Sequence, residues 1–436
     1  MRALPRRWCL QAGLAATLGL AGCGRRGGDR ALRFWAMGRE GEVVGELLAD
    51  FQRQHPGIAV QVEQLPWSAA HEKLLTAFAG DATPDLAQMG NTWLPEFNAL
   101  GALEPLDDWL ARTPAVTAAD HFAGIWATNR IGDRLLGLPW YVDTRLLFYR
   151  RDLLQRAGFD RVAEDWAGWR RQLQAVKQAA QRDVGMDRYA VLLPLNEFEP
   201  LLAFALQAGE PLLRDGGRYG NFRGAGFRQA LDFLLSMYAE RLAPPATNNE
   251  VANVWNEFGR GYFSFYISGP WNLGEFRRRL PAALQDAWAT APLPGPQPGA
   301  GPGSSLAGGS SLVLFRRSRR KPEAWALASW LSQPAVQRRF WALTGNLPAR
   351  RSAWNDPALQ ADARVAAFRR QLERVRPPPQ VPEWERIATE MRVLLEQVVH
   401  GRLSAAAMPA ELDRRADAML DKRRWMLDRQ AAAATT

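Results

Sequence analysis

Leu138 to Asp160 reads LPWYVDTRLLFYRRDLLQRAGFD and changes character along its length. It opens with Pro139, Trp140, Tyr141, Asp143 and Arg145, where aromatic faces sit beside charged groups, a mixture suited to a wet, polar ligand. Leu146-Leu147-Phe148-Tyr149 follows, an apolar run short enough for a buried strand. Arg151 to Ala157, closed by Gly158, predicts a helix with a glycine stop. The order is therefore polar loop, strand, helix.

Upstream, Leu32-Arg33-Phe34-Trp35 predicts a first strand running to Gly38-Arg39-Glu40-Gly41. From Glu42, apolar Val43, Val44, Leu47, Leu48 and Phe51 recur at helical spacing until His55-Pro56-Gly57 ends the helix. Ile58, Val60 and Val62 alternate as a second strand, Ser68 is the expected N-cap of a helix over 69–79, and Asp85 to Met89 is a third strand. Alternating strands and helices argue an α/β lobe with a largely parallel sheet, in which ligands collect at the carboxyl ends of strands. Those ends are Arg39-Glu40, Leu65-Pro66-Trp67 and Gly90-Asn91-Thr92-Trp93.

Downstream, helices are expected over 166–182, 199–208 and 227–240, with a strand from Tyr189 to Leu195. Phe263-Ser264-Phe265-Tyr266-Ile267-Ser268 is an apolar strand running into Gly269-Pro270-Trp271. Leu293 to Ser305 is rich in proline and glycine and predicts a loop. Ala307 to Leu314 is a strand with a glycine step, Pro322 opens a helix, and a helix over 336–343 runs into Gly345-Asn346-Leu347-Pro348-Ala349-Arg350. Helix resumes at Trp384 and extends to Arg424, before an Ala-rich end expected to fray.

A chain of 436 residues is too long for one ordinary core, and 47% apolar with 23% charged residues is an ordinary globular composition. The net charge is +10, of which Arg2, Arg6 and Arg7 lie in the leader, leaving +7. Arg277-Arg278-Arg279 and Arg316 to Lys321 lack interleaved aromatics, so they read as solvated faces and no nucleic-acid partner is expected. The two cysteines differ in kind. Cys9 lies in an apolar stretch too short to span a bilayer permanently, and residues 1–22 read as a signal peptide. Leu20-Ala21-Gly22-Cys23 resembles a bacterial lipobox, which implies cleavage before Cys23 and lipidation of its thiol, with 23–30 as a tether.

Several of these segments, in this order, resemble one family. The stretch 138–160, the Thr83-Pro84-Asp85 step before the third strand, the run Phe97 to Leu106, the strand into Gly269-Pro270-Trp271, the Gly308-Gly309-Ser310 strand and the Leu347 to Arg350 turn are similar to the carbohydrate-binding proteins of bacterial ABC importers, of the maltodextrin- and trehalose-binding type. The resemblance covers nearly the whole chain after Ala31 and implies an α/β, two-lobed periplasmic-binding-protein fold, each lobe a mostly parallel sheet flanked by helices. It implies lobe one from 31–145 and 293–345, lobe two from 146–292 and 346–426, a disordered tail over 427–436, and crossings near Asp143, Leu293 and Asn346. The implied partners are a sugar held between the lobes and the membrane subunits of an importer. A monomeric, extracytoplasmic, membrane-anchored protein is expected.

Eighteen Trp are far more than usual, and flat apolar rings suit sugar faces, although most are expected to pack in cores. By matched position the resemblance assigns ligand contacts to Arg39, Glu40, Trp67, Asn91, Tyr141, Asp143, Trp271, Gly309, Arg350 and Trp384, and Trp140 joins them as a ring expected at a strand end beside polar neighbours. The polar members would pair with sugar hydroxyls, which are costly to bury unpaired. The four histidines are dispersed without ligand spacing, and no phosphate-cradling glycine motif precedes a Lys-Ser or Lys-Thr, so no metal or other cofactor is expected. Two rivals remain open at this point. A glycoside hydrolase would also use a Trp-lined cleft, with Glu40 and Asp143 as its carboxylates, but its usual barrel of eight βα units is not the pattern here. The same fold could take a glycerophosphodiester, for which Arg39 and Arg350 would be apt. The lipobox generates the first prediction: Cys23→Ser releases the protein from membranes, read by fractionation, and leaves ligand affinity intact.

Overall fold

The computed structural model describes residues 31–184, 188–251 and 253–435; the expected signal peptide over 1–22, Cys23 and the expected tether over 23–30 lie outside the described residues. Strand β1 (Leu32–Met37) is buried at every position but Arg33, as expected for a strand covered on both faces. Helix α1 (Gly38–Gln54) starts directly at its end, a change of direction that Gly38 permits at φ +50°. The helix turns Val43, Val44, Leu47, Leu48 and Phe51 inward. Strand β2 (Val60–Leu65) leads into α2 (Trp67–Ala79), and β3 (Leu86–Gly90) completes a parallel β2-β1-β3 unit. Ser68 is not the N-cap of α2: the helix begins two residues earlier than expected, at Trp67 behind Pro66, whose ring already constrains φ.

The chain leaves this sheet through β4 (Leu138–Asp143) and enters a second sheet as β5 (Leu146–Arg150), followed there by β6 (Val191–Leu192), β7 (Phe265–Ser268) and β8 (Trp288–Ala291). It returns as β9 (Gly308–Leu314) and adds β10 (Leu347–Pro348) at an edge. The strand orders are β10-β4-β9-β3-β1-β2 and β8-β5-β7-β6. Neither sheet is mostly parallel. Only β1 with β2, β1 with β3 and β7 with β6 run parallel, while β9 is antiparallel to β3 and β4, and β5 to β7 and β8. The cause is the connectivity: β4 carries the chain out of the first sheet and β9 brings it back beside it, so the two must oppose.

β6 is much shorter than the expected 189–195, because it pairs on one side only and is soon followed by Pro194, which has no N–H to donate. The return crossing falls at Ala307 rather than near Leu293, since Leu293 and Leu306 belong to the second lobe's core and Ser305-Leu306 pairs with Val375-Arg376. The third crossing lies near Asn346 as expected, just after Pro348, because Leu347 and Pro348 still pair with β4. The end of the chain is helical, Asp421–Thr435, where a disordered tail was expected over 427–436; Arg218 pairs with Asp428, and Arg424 lies 4.8 Å from the Tyr219 ring.

Three cores matter for the site. Phe34, Trp140 and Leu312 pack against Trp330 and Phe340 in the first lobe, and Trp166, Trp169, Phe204 and Trp384 pack in the second. A third joins the lobes, with Phe122, Val142 and Leu347 meeting Phe148, Phe276, Trp288 and Trp354. Two rings expected in a cleft are therefore core. Trp140 stacks on Phe340 at 4.4 Å, and Trp384 is fully buried. Trp140→Ala should cost about 3–5 kcal/mol of stability, the usual loss for a large buried ring, measured by denaturant unfolding without ligand.

Candidate functional site

A cavity of about 570 Å³ lies between the lobes, within the range of small-molecule sites. The first lobe lines it with Arg39 and Glu40 at the start of α1, Trp67 at the start of α2, Gly90 at the end of β3 and Asn91 to Trp93 after it, and Tyr141 on β4. The crossing segments supply Asp143, Arg145, Leu306, Gly308 to Ser310, Thr344 and Asn346. The second lobe adds Phe198, Glu199, Leu202, Trp271, Glu275, Arg278 and Glu385. The expected residues Arg39, Glu40, Trp67, Asn91, Tyr141, Asp143, Trp271 and Gly309 thus share one cavity, and Trp140, Arg350 and Trp384 do not reach it.

The two principal rings are held half open. Trp67 is 39% and Trp271 37% exposed, on opposite walls. Trp67 leans on Gly38, where a Cβ would lie 2.8 Å from its Cδ1, and meets Trp93 edge-on with ring centroids 5.8 Å apart. The Trp271 ring lies over Gly269, where a Cβ would come within 1.9 Å of Cζ3, so the Gly-Pro-Trp step needs its glycine for close approach. Arg145 covers the same ring, its guanidinium 4.7 Å from the centroid.

That guanidinium organises the wall. Arg145 Nη1 donates to both Asp143 oxygens at 3.0 and 2.8 Å, and Nη2 donates to Glu199 Oε1 at 2.7 Å. Burial opposes the Arg145 charge, but Asp143, Glu199 and Glu197 outweigh it and hold the group above its ordinary range. Burial likewise pushes the Asp143 carboxyl up, against the pull of Arg145.

Glu40 sits in the first turn of α1, where the helix dipole favours a carboxylate. It accepts from Asn346 Nδ2 at 2.7 Å and from Tyr141 and Trp67, while burial raises its pKa. Tyr141 Oη also accepts from Gln88 Nε2 at 3.1 Å and from Ser310 Oγ at 3.0 Å. Asn91 is engaged within its own lobe, donating to Thr128 Oγ1 and accepting from Ser311 Oγ, both at 2.8 Å. Glu385 reaches across from the second lobe to accept from Thr92, and burial raises its pKa too. Arg350 is elsewhere: Nε donates to Asp120 at 2.6 Å and Nη2 to the Ala115 carbonyl at 2.7 Å, which fastens the third crossing to the first lobe.

Sequence reasoning missed Glu385 although a signal for it exists. Trp384, Ile387, Ala388 and Met391 form an apolar stripe at helical spacing, which assigns Trp384 to the core and leaves its neighbour off the stripe. Glu199 and Asn346 carry no comparable signal. Among the described residues there is no cluster of three or more His, Cys, Asp or Glu able to hold a metal, and no helix long and apolar enough to cross a membrane.

The family model of bacterial extracellular solute-binding proteins matches residues 38–338. The chain belongs to this family. Its two-lobed fold is that of the sugar-binding protein MalE from Xanthomonas citri, with 54% identity, a TM-score of 0.86, and coverage of 91% of this chain and 99% of that one. A galactooligosaccharide-binding protein of Bacillus subtilis is 23% identical over 89% of this chain and 91% of its own length. An uncharacterised lipoprotein encoded in the oleD 5' region of Streptomyces antibioticus is 28% identical over 85% and 84% respectively. The family consists of solute-binding proteins, and the cavity between the lobes is the place in this member where elements of both lobes converge.

Behind the wall, Glu197 accepts from Asn248 Nδ2 at 2.6 Å, and burial followed by repulsion from Glu199 pushes its carboxyl up to about 7. A carboxyl raised in the folded state contributes stability that is present below its unfolded value and lost as pH rises through the folded one, here between about 4.5 and 7. Glu197→Gln removes the charge whose burial is costly. It should raise the melting temperature at pH 8 by about 2–4 °C and change it little at pH 5, as thermal scans at the two pH values would show.

Proposed function

We propose that the cleft binds a sugar or short oligosaccharide and that the protein delivers it, outside the cytoplasm, to an ABC import permease. The observation that carries this reading is the pair of half-open indole rings, Trp67 and Trp271, on opposite walls of one cavity with carboxylates and amides between them. Rings take the C–H faces of a sugar, and Glu40, Asp143, Asn346 and Glu385 offer partners to its hydroxyls. The MalE protein, at 54% identity, supports the choice of solute class. A ligand touching both walls stabilises the closed lobes, the state a permease would recognise. Micromolar affinity requires about −8 kcal/mol, within reach of two stacked rings and several hydrogen bonds.

Binding rather than hydrolysis is favoured because both Asp143 oxygens are taken by Arg145, which leaves that carboxylate poorly placed to attack or to transfer a proton. The lipid anchor at Cys23 belongs to the same reading and is supported by the relative named a lipoprotein. Calorimetric titration with maltose, trehalose, a galactobiose and glycerophosphocholine tests the solute. At least one sugar should bind in the micromolar range or tighter, and a protein that bound only glycerophosphocholine would overturn the sugar assignment. Trp271→Ala should lose about 1.5–3 kcal/mol of that affinity with little change in the melting temperature without ligand. Asp143→Asn should weaken the same ligand. A Trp271→Ala protein with unchanged affinity and a strongly lowered melting temperature would make that ring core.

A further inference from the structure

The charges of the cleft do not balance locally. Five carboxylates line it, Glu40, Asp143, Glu199, Glu275 and Glu385, against three guanidiniums, Arg39, Arg145 and Arg278. Each guanidinium already has an acidic partner: Arg145 has Asp143 and Glu199, Arg278 has Glu275, and Arg39 has Glu42 at 3.0 Å. Arg39 and Arg278 also stand at more than half exposure, where water and salt screen them.

Two carboxylates are left with neutral donors. Glu40 is held by Asn346, Tyr141 and Trp67, and Glu385 by Thr92; among the described residues neither forms an ion pair. They stand on opposite walls, each in the first turn of a helix, Gly38–Gln54 for one and Trp384–Val399 for the other. The titratable neighbours acting on Glu385 are His71, Glu96 and Glu199, and His71 is bonded to Glu96 at 2.8 Å. Tyr141 is the titratable neighbour bonded to Glu40, and Arg39 precedes it in the chain.

We propose that Glu40 and Glu385 are specificity-determining residues: from the two walls they accept hydrogen bonds from a ligand bearing hydroxyl or N–H donors at both ends, and they reject sugars carrying phosphate or carboxylate. An ionised carboxylate only accepts. An anionic group placed against either one would lack a donor and would meet a like charge in a partly desolvated site, which is discrimination by repulsion. This inference rests on the sugar reading and adds the charge of the ligand to it. Burial raises both carboxyls, so the repulsion should fade on acidification sooner than it would for exposed carboxylates.

The test uses matched probes, trehalose with trehalose 6-phosphate and maltose with maltose 1-phosphate, titrated calorimetrically into the wild type, Glu40→Gln and Glu385→Gln. Glutamine keeps the shape and one acceptor oxygen, and the two positions lie on separate elements, so one variant remains informative if the other folds poorly. The wild type should favour the neutral member at least about tenfold. Each substitution should shrink that ratio, and so should lowering the pH. Equal affinity for a matched pair in the wild type, or a ratio unchanged in both variants, would overturn the charge filter while leaving the sugar reading in place. Failure of every probe to bind would remove the sugar reading and this inference with it.

Discussion

The wall of the cleft depends on one buried cation. Arg145 stands where the chain passes from the first sheet to the second, bonded to Asp143 on the strand it has just left and to Glu199 at the start of a helix in the lobe it is entering. Its flat face supports the Trp271 ring. Removing one member of such a pair leaves an uncompensated charge away from water, typically a loss of about 3–5 kcal/mol. The arrangement is therefore best understood as specifying geometry: it sets the direction of the crossing and the plane of the ring together.

A second network links the passes between lobes on the opposite wall. Gln88 Oε1 accepts from the Met37 N–H at 2.7 Å, while its amide reaches Tyr141 on β4 and Ser310 on β9. Tyr141 and Asn346 both bond Glu40, so a carboxylate in the cleft touches two of the three crossing segments directly and the third through Ser310. Buried polar groups fully joined in this way act as a unit. Together with the apolar core that spans the lobes, they tie the two lobes to each other along one side of the cleft.

The corrections share a cause. Trp140 and Trp271 have similar local surroundings in the sequence, each beside proline and polar residues, yet one is core and the other lines the cleft. Trp140 lies within a strand covered on both faces, so its indole has no solvent side to choose. Trp271 follows a strand and opens a helix, where a side chain can point away from both layers. Arg350 was placed in the cleft by its position in the chain, but Asp120, distant in sequence, sits within 2.6 Å and holds it. No local pattern announces such a partner.

What the sequence determined by itself is what rests on near neighbours. The strand-helix alternation of the first lobe, the apolar strand ahead of Gly269-Pro270-Trp271, and the placement of Arg39, Glu40 and Trp67 at strand ends follow from periodicity and from turn residues, all short-range properties of the chain. The stripe that buries Trp384 was equally local. Only the tertiary structure decided the antiparallel return of β9, the shift of the second crossing to Ala307, and the meeting of Glu385 with Thr92. Those depend on which distant segments pair and on two lobes facing each other across a gap, and periodicity within a short window carries no information about a partner hundreds of residues away.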